Sequence, residues 1–120
     1  MMRTYSVTFL FALMLAVSLS AAAGQQNGRR NNVARSATQL YARHCASCHG
    51  NDGKAKTSKG KFSHARDLTE VAWQNDVSDE RIFNSIMNGR SVRGNMPAFS
   101  DKLNEQEADA LVSYVRKFKG

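Results

Sequence analysis

The sequence predicts an all-α chain with three main helices joined by long loops. Three observations lead there. Apolar residues recur at three- to four-residue spacing in three separate stretches. Each stretch opens on a candidate N-cap, Ser36, Ser78 or Asn104. No segment shows the strict alternation of a half-buried strand, and no internal repeat is visible.

The chain has 120 residues, so one domain is the natural expectation. Residues 1–23 stand apart from it. Met1-Met2-Arg3 is a short basic start, Val7 to Leu19 is a largely apolar run, and Ala21 and Ala23 sit at the −3 and −1 positions of an A-x-A cleavage site. This is the build of a secretory signal peptide. The alternative is a retained anchor, but the apolar run falls short of the ~20 residues that a spanning helix needs. Cleavage near Ala23 would place the protein in the periplasm or otherwise outside the cytoplasm, with no membrane span remaining. Residues 24–34, "GQQNGRRNNVA", are polar and lack periodicity, and they read as a flexible linker. Residues 35–120 are then the folded domain. The chain carries 17 basic residues against 10 acidic ones, a net charge of +7. A basic exported protein can face an acidic protein or anionic lipid; export makes nucleic acid the poorest fit.

The first helix is expected from Ser36, with Ala37, Leu40, Tyr41 and His44-Cys45 on one stripe, ending near Gly50. Asn51 to Phe62 carries Asn-Asp-Gly, a second glycine and four lysines, and reads as a loop. A short helical turn is expected between Asp67 and Trp73. Ser78 caps a helix through Asn88, with Asp79 and Glu80 in its first turn, where carboxylates favour the helix dipole. Ile82, Phe83, Ile86 and Met87 form its apolar stripe, and Gly89 ends it. A loop with the single proline of the chain, Pro97, follows. The last helix starts at Asn104 with Glu107 three residues on, a variant of the capping box. Leu111, Val112, Val115 and Phe118 lie along one face with Tyr114 beside it. Loops this long in a compact domain are usually functional or wrapped around something. A large apolar cofactor would give loops and helices a shared core.

The chemistry concentrates in "RHCASCHGNDGK". Both cysteines of the chain fall there as Cys45-Ala46-Ser47-Cys48-His49, the C-x-x-C-H signature of c-type haem attachment. Two thiols at that spacing add to the two haem vinyl groups, and the adjacent histidine is held under the iron as proximal ligand. A thioredoxin-like pair would need a βαβ setting, and no strand precedes the motif. A zinc site would need four ligands; Cys45, Cys48, His49 and His64 make up the number, yet adjacent Cys48 and His49 cannot easily both reach one tetrahedral ion. A plain disulfide would be strained and would leave His49 without a role.

An electron-carrying haem iron needs a sixth ligand. Met87 lies on a helix stripe, where core packing accounts for it. His44 shares the helix of the motif, and His64 sits in a basic loop. Met96 lies in an irregular segment far downstream, and Pro97 biases its backbone toward extension. Met96 is therefore the candidate distal ligand, with a buried loop methionine as the alternative.

"CASCH", "GNMPAF" and the C-terminal "LVSYVRKF" resemble a class I monohaem cytochrome c of the small bacterial periplasmic type. The resemblance runs from about Ser36 to Phe118. It implies the cytochrome c fold wrapped around one covalently attached haem c, with thioethers at Cys45 and Cys48, His49 proximal and Met96 distal. It also implies that the first and last helices cross near the haem edge, with Tyr41, Leu111 and Tyr114 close to that contact. Pro97 shapes the Met96 loop. Trp73 either offers its indole N–H to a haem propionate or packs in the core.

The implied function is periplasmic single-electron transfer by a monomeric protein, with no substrate bound at the metal and so no catalysis in the usual sense. Its partners would be a redox donor and acceptor with acidic docking surfaces. Lys54, Lys56, Lys59 and Lys61, with Arg90 and Arg93, could ring an exposed haem edge and steer such partners, or could simply be a solvated basic surface. Two rival functions use the same motif: a dedicated haem subunit of a periplasmic dehydrogenase, and a haem sensor or peroxidase with a labile sixth ligand.

Overall fold

The computed structural model describes residues 36–119, and the expected signal peptide and linker lie outside the described residues. Among the described residues every regular element is helical, and the sole strand-like feature is an isolated antiparallel bridge between Arg90 and Met96.

Helix α1 covers residues 36–44, and α2 spans Ala46–His49. Cys45 hitches the two together. Its N–H still bonds the Tyr41 carbonyl at 2.9 Å, and its own carbonyl accepts from His49 N–H at 2.9 Å. The run ends at Gly50, as the sequence suggests. Ser36 is already helical, so it does not cap the helix. A serine followed by periodic apolar residues marks the vicinity of a helix start, and boundaries shift by a residue or two.

The expected loop at Asn51 to Phe62 contains a helix, α3, Ser58–Phe62. Thr57 caps it by accepting from Gly60 N–H. The glycine and lysine content argues for a loop, but the local cap and a packing contact override it. The turn expected between Asp67 and Trp73 is displaced as well. Asp67 accepts from Thr69 N–H at 2.8 Å and Thr69 Oγ1–H at 2.7 Å, closing a turn over those residues. Helix α4, Val71–Asp76, begins only after it.

Helix α5 spans Asp79–Asn88 and α6 spans Glu105–Arg116. Both have the caps their sequences announce. Ser78 Oγ accepts from Arg81 N–H, and Asn104 and Glu107 exchange both bonds of a capping box. Gly89 closes α5 at φ 72°, where a Cβ would stand 2.7 Å from the Met96 carbonyl and the Ala98 nitrogen. The chain then doubles back over the end of α5. Phe99 N–H and Ser100 N–H bond the carbonyls of Ile86 and Met87, which the helix itself leaves unpaired.

The core joins α1, α5 and α6. Tyr41, Ile82, Ile86, Ala108, Leu111, Val112 and Val115 are buried together. Tyr41 stacks obliquely on Tyr114 with ring centroids 4.8 Å apart and meets Phe118 at 5.3 Å, so the first and last helices join through an aromatic cluster. Gln74 is the buried polar residue of this region, 3% exposed. Its amide donates to the carbonyls of Leu68 and Val115. Arg116 completes the clasp with bonds to Gln74, Val77 and Asp79. No described buried side-chain nitrogen or oxygen lacks a partner.

Helix α5 shows two faces to two clefts. Ile82, Ser85 and Ile86 border a large one. Asp79, Glu80 and Phe83 border a smaller groove, with Glu105 and Asp109 from α6 on its other side.

Candidate functional site

The large cleft has a volume of about 1020 Å³, the top of the range typical of small-molecule and cofactor sites. Cys45, Cys48, His49 and Met96 all line it, brought from two segments far apart in sequence, and Trp73 stands on its wall. Tyr41, Leu68, Ile82, Ile86, Phe99 and Leu111 give it an apolar lining.

Each functional side chain has a local reason for its place. The hitch at Cys45 and the short turn of α2 put both thiols and His49 on one wall. Both cysteines are free thiols. Burial pushes the Cys45 thiol up to about 12, and the nearby Cys48 charge adds to the shift. The thioredoxin reading fails on fold, since no described strand precedes the motif. His49 is pushed below the usual histidine range by burial, against a smaller opposing effect of the Arg66 carbonyl. Its Nδ1 lies 2.9 Å from that carbonyl oxygen. A carbonyl only accepts, so Nδ1 carries the proton and Nε2 keeps its lone pair, the arrangement metal-ligating histidines adopt. Among the described residues no cluster of three or more His, Cys, Asp or Glu is placed to hold a metal ion, so the zinc reading finds no ligand set.

Met96 is held by a different device. Its N–H and carbonyl both pair with Arg90, at 2.9 and 2.8 Å, pinching residues 90–96 into a tight excursion. The neighbouring Asn95 N–H bonds the Ser63 carbonyl at 2.9 Å. The excursion is thus anchored to α5 through Gly89 and to the segment after α3. The rim is basic: Lys59, Arg90 and Arg93 border the cleft, and so do Arg43, Arg81 and Lys102. Lys54, Lys56 and Lys61 are exposed but do not border it. Two apolar side chains are unusually open there, Phe62 at 88% and Val92 at 71% exposure.

Sequence reasoning missed α3, the carbonyl of Arg66, and Phe62 and Val92. A Thr57 cap before lysine-rich residues was a usable signal for α3. The Arg66 carbonyl left none, because any residue could supply it.

A helical domain wrapped around such a cleft, with paired free thiols and an adjacent neutral histidine on one wall, fits a covalent haem c and defines a class I monohaem c-type cytochrome. A family model described as "Cytochrome C oxidase, cbb3-type, subunit III" matches residues 32–115, and the chain belongs to this cytochrome c family. The FixP subunit of a cbb3-type cytochrome c oxidase from Azorhizobium caulinodans is 32% identical over 88 residues, 73% of this chain. The chain spans only 28% of that subunit's length. A cytochrome c6-like protein from Nostoc sp. is 30% identical over 91% of this chain and 84% of its own length. Among solved structures, the KustC0563 c-type cytochrome superposes with a TM-score of 0.64 at 40% identity, covering 70% of this chain and 98% of that one.

Proposed function

We propose that this protein is a single-electron carrier working outside the cytoplasm. In this reading Cys45 and Cys48 hold the haem by thioethers, His49 is the proximal iron ligand and Met96 the distal one. The observation that carries it is the convergence of these four side chains on one cleft, with His49 Nδ1 already engaged by Arg66. When bound, haem supplies a one-electron Fe(II)/Fe(III) couple, and methionine ligation raises its potential.

The chain's own residues do the rest. Arg66 fixes the imidazole tautomer and orientation through its carbonyl. The apolar lining excludes water and favours the less charged, reduced state. The Arg90–Met96 bridge fixes the backbone from which the Met96 thioether lines the cleft. Trp73 packs against the core and lines the cleft, from which its indole N–H would be able to reach a haem carboxylate. The basic rim steers acidic redox partners toward the cleft, through the small, transient interfaces of electron-transfer encounters. Export rests on residues 1–23, and no described helix is long and apolar enough to cross a membrane.

The test is to purify the full chain from a host able to attach haem and to record its spectrum and potential. The expected outcome is a low-spin spectrum, a weak red-end band in the oxidised form that Met96→Ala removes, and almost no change of the reduced spectrum under carbon monoxide. Ready carbon monoxide binding would instead support a sensor or peroxidase.

A second reading draws on the relatives. Several of them are subunits of cbb3-type oxidases, which shifts the permanent-complex alternative from a dehydrogenase to an oxidase. The cytochrome c6-like relative, matched over 84% of its own length, favours the free carrier. Native sizing decides between them: a lone monomer supports the carrier, and co-purification with an oxidase core supports the subunit.

A further inference from the structure

Residues 57–66 touch both segments that carry the proposed iron ligands. At one end Thr57 Oγ1 donates to the carbonyls of Ser47 and Cys48, at 2.8 and 3.0 Å, while accepting from Gly60 N–H at 2.9 Å. Gly60 is buried, and a Cβ there would stand 2.1 Å from the Cys48 carbonyl oxygen, so α3 lies with its backbone directly on the attachment turn. At the other end the Arg66 carbonyl takes His49 Nδ1–H. Between them the Ser63 carbonyl takes Asn95 N–H, one residue before Met96. Ala65 N–H bonds the Gly60 carbonyl at 2.8 Å, tying the two ends of the segment to each other. His64 stands in the left-handed region at φ 54°, a conformation a non-glycine residue keeps only when its surroundings impose it.

We propose that residues 57–66 form a brace that sets His49 and the Met96 segment relative to one another, with Thr57 as its positioning residue. This rests on the reading of His49 and Met96 as iron ligands. Thr57 touches neither ligand. It acts by locking α3 onto the Cys48 carbonyl, which fixes where the Arg66 and Ser63 carbonyls stand. Loosening that lock weakens the pull of Arg66 on Nδ1–H, makes the imidazole a poorer donor, and so stabilises the ferric state less.

The experiment uses the full haem-loaded chain. Thr57→Val, which keeps shape but loses both the donor and the cap, is expected to raise the reduction potential and to weaken the red-end band. Thr57→Ser is expected to restore both. In the unmutated protein, hydrogen exchange at the Gly60 and Asn95 amides is expected to report one common opening, since both depend on the brace. A Thr57→Val protein with unchanged potential and band and only a lower melting temperature makes Thr57 an ordinary helix cap and overturns the proposal. Independent exchange at Gly60 and Asn95 overturns it as well. Failure of the ligand reading looks different: Met96→Ala would leave the red-end band of the unmutated protein in place.

Discussion

Tyr41 ties the core to the attachment turn. Its hydroxyl donates to the buried Gly50 carbonyl at 2.8 Å, and burial, aided by nearby negative groups, holds it protonated well beyond the usual tyrosine range. Tyr41→Phe leaves that carbonyl only its 3.2 Å bond from Gly53 N–H, and the expected cost is about 0.5 to 1.5 kcal/mol in denaturant unfolding of the holoprotein. Asp67 shows the opposite sign. The Thr69 hydroxyl holds its carboxyl below the usual aspartate range, with the Thr69 N–H and the charges of Lys54 and Lys56 helping against burial. A depressed folded-state pKa means that the carboxylate stabilises the protein above its unfolded value of about 3.9 and loses that effect as the pH falls through the folded value. Asp67→Asn is therefore expected to lower the melting temperature at neutral pH and to flatten the acid limb, the two profiles converging once the pH falls below the folded value. At this scale the motif residues were the legible ones, because C-x-x-C-H needs its residue types at fixed spacing. Arg66 and Ser63 act through main-chain carbonyls, which leave no mark on residue identity.

The elements divide along the same line. Helices α5 and α6 were readable because their caps, periodic stripes and terminating residues all agree. Helix α3 was not. Its glycine argues for a loop on propensity, yet Gly60 is there because nothing larger fits against Cys48. Gly60→Ala must push α3 off the attachment turn, and an overpacking cost of about 1 to 3 kcal/mol or more is expected, measurable by thermal or denaturant melts. The start of α4 was displaced because Asp67 and Thr69 spend their side chains on a turn rather than on a helix. The Gln74–Arg116 clasp between α4 and α6 could not be foreseen either, since it joins residues far apart in sequence. Gln74→Leu removes the donor to the Leu68 and Val115 carbonyls and one acceptor of Arg116. The expected loss is again about 1 to 3 kcal/mol.

At the scale of the whole described domain, the two clefts differ in charge. The cleft rim is rich in arginine and lysine, whereas the groove on the other face of α5 gathers Asp79, Glu80, Glu105 and Asp109. Steering by the rim predicts that electron transfer to an acidic redox protein slows as salt rises through the range where the Debye length falls below about 10 Å. The double substitution Arg90→Glu and Arg93→Glu is expected to lower that rate and flatten its salt dependence, read by stopped-flow. The sorted charge also makes the protein a dipole with a readable polarity on a solid support. On a carboxylate-coated electrode it should adsorb cleft first and give prompt, reversible voltammetry. On an amine-coated electrode it should settle on the acidic groove, with the cleft turned outward and the current sluggish. Two coatings of opposite sign thus become a switch for contact between the metal centre and a wire.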